Sequence, residues 1–447
     1  MLGLARSGAA TVRALVAGGA SVVAWDADEA KRDALKPLPL RGGVGGGGSP
    51  QAATSVPADG PHPNPSPEGE GLLAVAPLND LTGFDALIVS PGVPLNTHPI
   101  AALAHAAGVP VIGDIELFAQ ARADLPAHKV VGITGTNGKS TTTALVHHII
   151  KTAGIPTLMG GNIGLPILGQ DPLPAGGVYV LELSSYQIDL TQSLDCDVAV
   201  LLNITPDHLD RYDGFESYAA SKARLFTMQS AGHAAVIGVG DASSASIARS
   251  VPNAIEIVPG TAVDQSRWPS LQGPHNAENA LAAIAVCERL GLSPQQIGAG
   301  LETFTGLPHR MEHVATVDGV AYVNDSKATN PESTAPALAA FDRVHWIVGG
   351  KAKGDDLDAC RPAFGHVVRA YTIGEAGPRF AAILAPDMAV EEAGTLAAAV
   401  RAAAANAQPG ETVLLSPACA SFDQFRDYEE RGAAFRAAVA ALGEGPA

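Results

Sequence analysis

The stretch Val131-Gly-Ile-Thr-Gly-Thr-Asn-Gly-Lys-Ser-Thr141 decides how this chain folds. An apolar run at 129–133 leads into its glycines, and a helix-like stretch at 140–151 follows them. A strand, a glycine loop and a helix start in this order can bind a polyphosphate, because backbone N–H groups, a lysine and a Mg²⁺-binding hydroxyl meet there. The pattern therefore predicts that the chain uses ATP. The common P-loop pattern is not met, since it requires glycine where Ile133 stands.

The bulk composition excludes several classes of protein. A chain of 447 residues, 47% hydrophobic, is expected to form roughly two to four domains. The net charge of −17, without a visible basic face, argues against a nucleic-acid-binding protein. No run approaches the ~18 apolar residues of a membrane span. A secretory signal is disfavoured, because Gly18 and Gly19 interrupt the N-terminal apolar run. Widely spaced cysteines fit a reducing compartment, so we expect a cytoplasmic protein without structural zinc: Cys196, Cys287, Cys360 and Cys419.

Strand and helix patterns alternate through most of the sequence, which predicts an α/β fold with mostly parallel sheets. Three blocks follow from this alternation, at residues 1–116, 117–306 and 307–447. Residues 37–71 interrupt the first block and are too rich in proline and glycine for a packed element. We interpret them as a disordered insertion in preference to a functional lid, since they offer little apolar surface for docking.

The first block opens with a dinucleotide-type turn, Gly3-Leu-Ala-Arg-Ser-Gly8, in which Ala5 replaces the middle glycine. Asp26 ends the next strand, as in Rossmann-like folds. A strand should precede this turn, but only Met1 and Leu2 are present to form it. Either that strand begins upstream or the sheet edge is incomplete. The turn alone would also fit a nicotinamide-dependent dehydrogenase, which leaves the ATP loop unexplained.

Three polar residues of the second block are candidates for metal chemistry. Glu182 lies inside the apolar strand 178–184, where a carboxylate is costly unless it is paired or binds a metal. Downstream of a phosphate loop, Mg²⁺ coordination is favoured over a salt bridge. His208 follows the strand 198–204, where a local hydrogen-bonded turn is the alternative. Lys222 lies on the helix 216–226, and an isolated lysine there is ordinarily solvated.

Further polar residues lie at helix and strand ends. Asn276 and Asn279 share one face at the start of a predicted helix, where they could read a base edge, or Asn276 could simply cap the helix. The loops 324–330, 349–354 and 416–425 follow strands of the third block and are rich in cations or hydroxyls. Because ligands gather at the carboxyl ends of parallel strands, these loops predict a site for anionic groups.

These motifs, in this order, resemble those of the Mur ligases, ATP-dependent amino-acid-adding enzymes of peptidoglycan precursor synthesis. The matching stretches are Gly132-x-x-Gly135-x-x-Gly138-Lys139-Ser140, Gly161-Asn-Ile-Gly164, Glu182-Leu-Ser-Ser-Tyr186, Asp207-His208, His275-Asn276 and His309-Arg310. Two more look like the D-glutamate-adding members: Asp325-Ser-Lys-Ala-Thr-Asn330 and Ser416-Pro-Ala-Cys-Ala-Ser-Phe-Asp-Gln-Phe425. The resemblance covers most of the chain outside residues 37–71.

The resemblance implies three domains: a Rossmann-like UDP-binding domain, a central P-loop-type ATPase domain and a Rossmann-like C-terminal domain. It also implies a monomer. In the implied reaction, the carboxylate of UDP-N-acetylmuramoyl-L-alanine attacks the γ-phosphate of ATP. The amine of D-glutamate then attacks the resulting acyl phosphate. Such chemistry requires mainly that the protein position anions and neutralise charge.

The resemblance also assigns residues to roles. The implied catalytic residues are Lys139, Glu182, His208 and Lys222. The resemblance also implies that Ser140 and Glu182 hold one Mg²⁺, and that His208 and a carbamylated Lys222 hold a second. ATP is expected at Gly135, Thr136, Asn137, Gly138, Lys139, Ser140, Thr141, Asn276, Asn279, Arg310 and Asp325. The UDP substrate is expected at Gly3, Leu4, Arg6, Ser7, Asp26, Ser90, Pro91, Gly92, Asn162 and Ser184. D-Glutamate is expected at Lys327, Thr329, Lys353, Ser421 and Tyr428.

Two other functions compete with this one. A sibling ligase, or a folylpolyglutamate synthetase-like enzyme, would add a different amino acid, but the motifs at 325–330 and 416–425 argue against it. A binding protein that kept the fold and lost catalysis would not need the intact charged set: Lys139, Glu182, His208, Lys222, Arg310 and Lys353.

Overall fold

The computed structural model describes residues 1–35, 72–207, 210–352, 354 and 356–443. The insertion predicted at 37–71 and two predicted site residues, His208 and Lys353, lie outside these ranges. The chain divides into two compact units. Unit 1 comprises Met1–Val130, Met159–Asp197 and Pro206–Gly232, and unit 2 comprises Val131–Leu158, Val198–Thr205 and His233–Ala447.

Strands and helices alternate along both units. The strands are β1 Val22–Ala24, β2 Leu73–Val75, β3 Leu87–Ile88, β4 Val111–Ile112, β5 His128–Thr134, β6 Thr157–Gly161, β7 Gly177–Glu182, β8 Val198–Leu201, β9 Ala234–Gly238, β10 Ile255–Ile257, β11 Glu312–Val317, β12 Val320–Asn324, β13 Val344–Gly349, β14 Val367–Ile373, β15 Ala389–Gly394 and β16 Thr412–Leu415. The α-helices are α1 Arg6–Ala17, α2 Glu29–Asp33, α3 Ile100–Ala107, α4 Asp114–Ala121, α5 Lys139–Thr152, α6 Ser185–Asp189, α7 Gly214–Thr227, α8 Ala242–Ser250, α9 Pro274–Arg289, α10 Pro294–Thr303, α11 Pro331–Leu338, α12 Gly377–Leu384, α13 Leu396–Asn406 and α14 Tyr428–Gly443. Short 3-10 helices span Arg122–Asp124, Ile167–Gly169 and Asp358–His366.

The N-terminal part of unit 1 is a small parallel sheet with helices on both faces. Strand β1 pairs with β2, and β3 pairs with β4. Leu2 bridges Trp25 on one side and Val89 on the other, both in parallel. Leu2 thus occupies the strand position predicted to precede the turn at Gly3, and the sheet is continuous there. One apolar cluster includes residues of α1 and a second includes residues of α3, as a Rossmann-like fold requires.

Unit 2 contains two sheets. In the first, β10, β9, β8 and β5 are neighbours in this order and run parallel. Every residue of β8 is buried, which explains its uninterrupted apolar sequence. In the second, the order is β11-β12-β16-β13-β14-β15, parallel except for the antiparallel β11–β12 pair.

The second sheet is covered on both faces. Residues of α11 and α12 belong to one apolar cluster, and residues of α13 and α14 belong to the other. Because β12, β16 and β13 are parallel neighbours, their carboxyl ends lie side by side. The three predicted polar loops therefore meet at one edge of the sheet. The predicted α/β fold with parallel sheets is confirmed, while the domain boundaries at 116 and 306 stay a prediction. Within the described ranges, no helix has the length and apolar character needed to cross a membrane.

At the opposite edge of this sheet, Glu411 forms a buried ionic network. His345 Nε2 lies 2.8 Å from Glu411 Oε2, and Arg343 Nε lies 2.6 Å from Oε1. The Gln408 N–H also donates to Oε2, at 2.9 Å. Burial by itself would raise the pKa of Glu411, but these hydrogen bonds outweigh it and lower the pKa to about 2.

This network predicts a pH-dependent contribution to stability. Because the folded-state pKa lies below the ordinary 4.5, the contribution is present above pH 4.5 and is lost as the pH falls toward 2. Glu411→Gln should reduce the free energy of unfolding by about 2 kcal/mol at pH 7. In urea titrations, the difference from wild type should shrink as the pH falls below 4.5. Glu392→Gln, at an exposed position of the same sheet, is the control, and a pH-independent difference for Glu411→Gln would contradict the assignment.

Candidate active site

The phosphate loop joins β5 to α5 through two glycines with positive φ, +151° at Gly135 and +81° at Gly138. A Cβ at Gly138 would collide with Asn279 Oδ1 of α9, so the loop can close against α9 only with glycine there. Lys139 Nζ donates to Gly135 O and Thr136 O, each at 2.8 Å. These bonds hold the ammonium group over the loop, where a phosphate would need it.

Asn203, directly after β8, braces this loop. Its backbone carbonyl accepts from the Thr136 N–H at 2.9 Å, and its side-chain Oδ1 accepts from the Asn137 N–H at 2.8 Å. Asn203 Nδ2 returns a bond to Asn137 O at 3.2 Å. The backbone amides of Thr136 and Asn137 are thus directed to Asn203, and their contact with ATP stays a prediction. The N-terminus of α5 is the remaining anion-binding element of the loop.

A cavity opens beside the loop, entirely within unit 2. Its lining includes predicted site residues from four segments: Asn137, Gly138, Thr141, Asn276, Asn279, Arg310, Asp325 and Lys327. The sequence-based reasoning missed others, both apolar and polar: Leu202, Asn203, Ile257, Ser270, His275, Glu278, Leu307, Met311, Glu332 and Pro336. Apolar walls with a few polar groups suit a nucleotide base and its phosphates.

The amides of Asn276 and Asn279 are already bonded within the protein. Asn276 Nδ2 donates to Gln272 O at 3.1 Å, and Asn279 Nδ2 donates to Asn276 Oδ1 at 3.2 Å. Thr142 Oγ1 donates to Asn279 Oδ1 at 3.1 Å. The capping alternative for Asn276 is wrong, because the helix begins at Pro274 and Gly273 takes the cap position. Because Thr142 lies on α5, its bond to Asn279 also connects α9 to α5.

His275 is the least satisfied polar group of the cavity. Its Nδ1 is buried and has no hydrogen-bond partner among the described residues. Burial lowers the pKa of His275 to about 4, so its imidazole is neutral at pH 7. The only signal in the sequence was its place beside Asn276.

The cavity's charged groups lie on the turn before β11 and on the loop after β12. Arg310 donates to Ser140 Oγ at 3.0 Å, which connects this turn to the start of α5. Burial raises the pKa of Asp325 to about 7, although Ser416 Oγ and the Met311 N–H donate to its carboxylate at 2.8 and 3.2 Å. A carboxylate can accept hydrogen bonds from ribose hydroxyls, which suits the predicted place of Asp325 in the ATP site.

The residues predicted for D-glutamate lie around the same sheet edge. Lys327 Nζ lies 3.9 Å from the ring centroid of Tyr428, and Ser421 is buried. Thr329 lies between β12 and α11. Arg431, which sequence reasoning missed, ties the loops together: its guanidinium donates to Ser326 Oγ and to three backbone carbonyls, those of Ser326, Cys419 and Ala420. A buried arginine in a polar helix pattern gives no sequence signal of its own.

In unit 1, Glu182 is the last residue of β7, whereas the sequence placed it inside a strand that reached residue 184. Asn162 Nδ2 donates to Glu182 Oε1 at 2.9 Å, while Glu182 Oε2 is buried and has no hydrogen-bond partner among the described residues. An unpaired buried carboxylate oxygen is costly, and a cation would satisfy it. Ser184, two residues on, caps α6, since its Oγ accepts from the Gln187 N–H at 3.2 Å.

Lys222 is buried on α7, with its ammonium 4.7 Å from the ring centroid of Tyr218. The interpretation of Lys222 as an ordinary solvated lysine is therefore wrong. Among the described residues, which omit His208, no group of three or more His, Cys, Asp and Glu side chains could hold a metal ion. The predicted magnesium site thus depends on Glu182 and on residues of other types.

The predicted UDP site also lies in unit 1. Gly3 has φ +87°, and a Cβ there would lie 2.7 Å from Ser90 Cβ, so the two predicted loops face each other. A Cβ at Gly8 would collide with Gly3 O. Asp26 accepts from the Leu4 N–H at 2.7 Å and stabilises the turn. The neighbouring predicted residues are Arg6 and Ser7 at the start of α1, and Pro91 and Gly92 beside Ser90.

Comparison with known proteins agrees with this geometry. Residues 133–268 match the Mur ligase middle domain, and residues 309–419 match the Mur ligase glutamate ligase domain. A UDP-N-acetylmuramate-alanine ligase structure from Thermotoga maritima covers 100% of this chain and 99% of its own, with TM-score 0.57 and 15% identity, which shows the fold alone. The fold and the ATP loop thus define a Mur-type, ATP-dependent ligase.

Two relatives indicate to which family of Mur-type ligases the chain belongs. The UDP-N-acetylmuramoylalanine–D-glutamate ligase of Novosphingobium aromaticivorans is 59% identical, covering 99% of this chain and 94% of its own. The ligase of the same name from Sphingopyxis alaskensis is also 59% identical, covering 99% and 97%. The chain belongs to the UDP-N-acetylmuramoylalanine–D-glutamate ligase family.

Asn203 provides a test of the loop geometry. Asn203→Ala removes the side-chain bonds to Asn137 and should raise the KM for ATP by about tenfold, the cost of one to two hydrogen bonds. Asn406→Ala is the matched control, because its amide donates to Ala402 O at the end of α13 and does not line the cavity. Steady-state kinetics with varied ATP would check this, and an unchanged KM for ATP would show that the loop holds its shape without Asn203.

Proposed function

We propose that this chain joins D-glutamate to UDP-N-acetylmuramoyl-L-alanine while converting ATP to ADP and phosphate, as a monomer in the cytoplasm. The observation that carries the proposal is the cavity of unit 2. It unites a phosphate loop, a loop that carries Asp325 and Lys327, and a turn that carries Arg310. Two cations that line a cavity beside an ATP loop, Arg310 and Lys327, suit transfer of a phosphoryl group to a carboxylate acceptor.

In the proposed reaction, a carboxylate oxygen of UDP-N-acetylmuramoyl-L-alanine attacks the γ-phosphorus and the bond to ADP breaks. The D-glutamate amine then attacks the acyl carbon, loses a proton, and phosphate leaves. Lys139 and the N-terminus of α5 would stabilise the phosphate charge, aided by Arg310. Asn276, Asn279 and Asp325 would hold the nucleoside.

D-Glutamate presents two carboxylates, which call for cations and hydroxyls. Lys327, Thr329, Lys353, Ser421 and Tyr428 would supply them, and Lys327 is already oriented by its contact with Tyr428. In unit 1, the facing loops at Gly3 and Ser90 would hold the UDP group, and Asn162 would hold the sugar side of the substrate.

Glu182 fits Mg²⁺, because it offers a buried carboxylate oxygen that has no hydrogen-bond partner among the described residues. By the family resemblance, Ser140 would supply a hydroxyl and His208 an imidazole. Lys222 is fully buried, and carbamylation would convert this buried cation into an anion suited to a metal site. When bound, Mg²⁺ would neutralise the charge of the phosphates.

The function is tested by phosphate release with ATP, Mg²⁺ and UDP-N-acetylmuramoyl-L-alanine, with and without D-glutamate. Sustained release is expected only with D-glutamate, because its amine is needed to resolve the acyl phosphate. Lys139→Ala should abolish turnover with an unchanged circular dichroism spectrum. Turnover with another amino acid in place of D-glutamate would favour a sibling ligase, and wild-type turnover by Lys139→Ala would refute its role.

Glu182→Gln tests the metal assignment. The amide keeps the size of the side chain and a carbonyl for Asn162 but loses the charge that a cation needs. The Mg²⁺ concentration for half-maximal turnover should rise by about tenfold or more, as for loss of a charged ligand. Glu392→Gln serves as an exposed control. An unchanged Mg²⁺ titration in Glu182→Gln would remove Glu182 from the metal site.

A further inference from the structure

The turn that carries Arg310 has an unfavourable backbone. His309 has φ +64° and Met311 has φ +46°, both in the left-handed region that side-chain-bearing residues rarely adopt. Two such residues flank Arg310, one on each side. This conformation costs free energy, so the surroundings must hold it in place.

The carboxylate of Glu312 stabilises this turn. Its Oε2 accepts from the His309 N–H at 2.8 Å and from Asn324 Nδ2 at 3.0 Å. Its Oε1 lies 2.6 Å from a guanidinium nitrogen of Arg436. The side chain of Glu312 is 18% exposed and that of Arg436 is 40% exposed, so these charge-assisted bonds are partly shielded from water.

Helix α14 closes the turn from the other side. A Cβ at Gly432 would collide with the ring of His309, so the helix backbone lies directly against that ring. Asn324 Nδ2 also donates to Gly432 O at 3.2 Å. Arg436 follows Gly432 by one helical turn, and both therefore face the same feature.

Arg310 reaches the cavity from this fixed turn. Its guanidinium bonds to Ser140 Oγ, and the backbone on both sides is pinned: the Lys327 N–H donates to His309 O at 3.0 Å, and the Met311 N–H donates to Asp325. Movement of the turn would therefore displace the guanidinium from the start of α5.

We propose that Glu312 and Arg436 are positioning residues: their ion pair holds the strained turn so that Arg310 faces the phosphates of ATP. The inference rests on the proposed contact of Arg310 with ATP. Neither residue is among the described residues that line the cavity. Their effect on the reaction passes through Arg310, which separates this role from a general contribution to stability.

The test compares Glu312→Gln, Arg436→Met, Arg310→Ala and the double variant Arg310→Ala/Glu312→Gln in the full-length protein. Glu312→Gln and Arg436→Met should each raise the KM for ATP by about tenfold, the loss expected for a charge-assisted bond. The KM for UDP-N-acetylmuramoyl-L-alanine should stay unchanged. The KM for ATP of the double variant should not exceed that of Arg310→Ala alone, because both changes remove the same contact of Arg310 with ATP.

Glu391→Gln is the control, since Glu391 pairs with Arg369 at 3.9 Å on the same sheet. Binding of a fluorescent ATP analogue, without the other substrates, separates this inference from the proposed function. Weaker binding by Glu312→Gln would support the inference even if no D-glutamate-dependent turnover occurred. A lower melting temperature with unchanged ATP binding, or additive losses in the double variant, would overturn it.

Discussion

The close approach of the phosphate loop to α9 at Gly138 is the constraint on which the ATP cavity depends. Because no side chain fits there, the loop lies against Asn279, which bonds in turn to Thr142 on α5. The loop, its helix and the neighbouring helix are therefore one connected body. The walls of the cavity are formed by the fold itself, so ATP binding requires little ordering of the chain.

The hydrogen bonding of a buried carboxylate distinguishes a residue that stabilises the fold from one that binds a ligand. Glu411 receives three donors and holds a strongly lowered pKa, as expected of a carboxylate that serves stability. Glu182 has one oxygen bonded and one buried oxygen without a hydrogen-bond partner in the part of the chain that the structure describes. Asp325 lies between these extremes, since its carboxylate is bonded but its pKa is raised by burial. Stability alone would select full pairing, so the incomplete pairing of Glu182 points to a ligand.

The sequence predicted secondary-structure elements better than it predicted which side chains contact each other. Buried parallel strands have continuous apolar sequences, and the loop predicted at 324–330 follows a strand, Val320–Asn324, as expected. The glycine loop and Glu182 were found because their residue types are unusual in their local setting. Asn203 and Glu312 were missed because their partners are defined by folding: Asn203 braces Asn137, 66 residues away. The burial of Lys222 could not be inferred, since most helix lysines are solvated.

The two cations nearest the phosphate loop share one property. Lys139 bonds to the carbonyls of Gly135 and Thr136, and Arg310 bonds to the hydroxyl of Ser140. All three acceptors are neutral oxygens. Hydrogen bonds from a cation to a charged phosphate oxygen are stronger than bonds to neutral acceptors, so exchange of partners favours ATP. The two side chains lose little conformational entropy in this exchange, because hydrogen bonds within the protein already fix their orientation. Electrostatic stabilisation of phosphoryl transfer therefore begins with cations whose orientation is set by the fold.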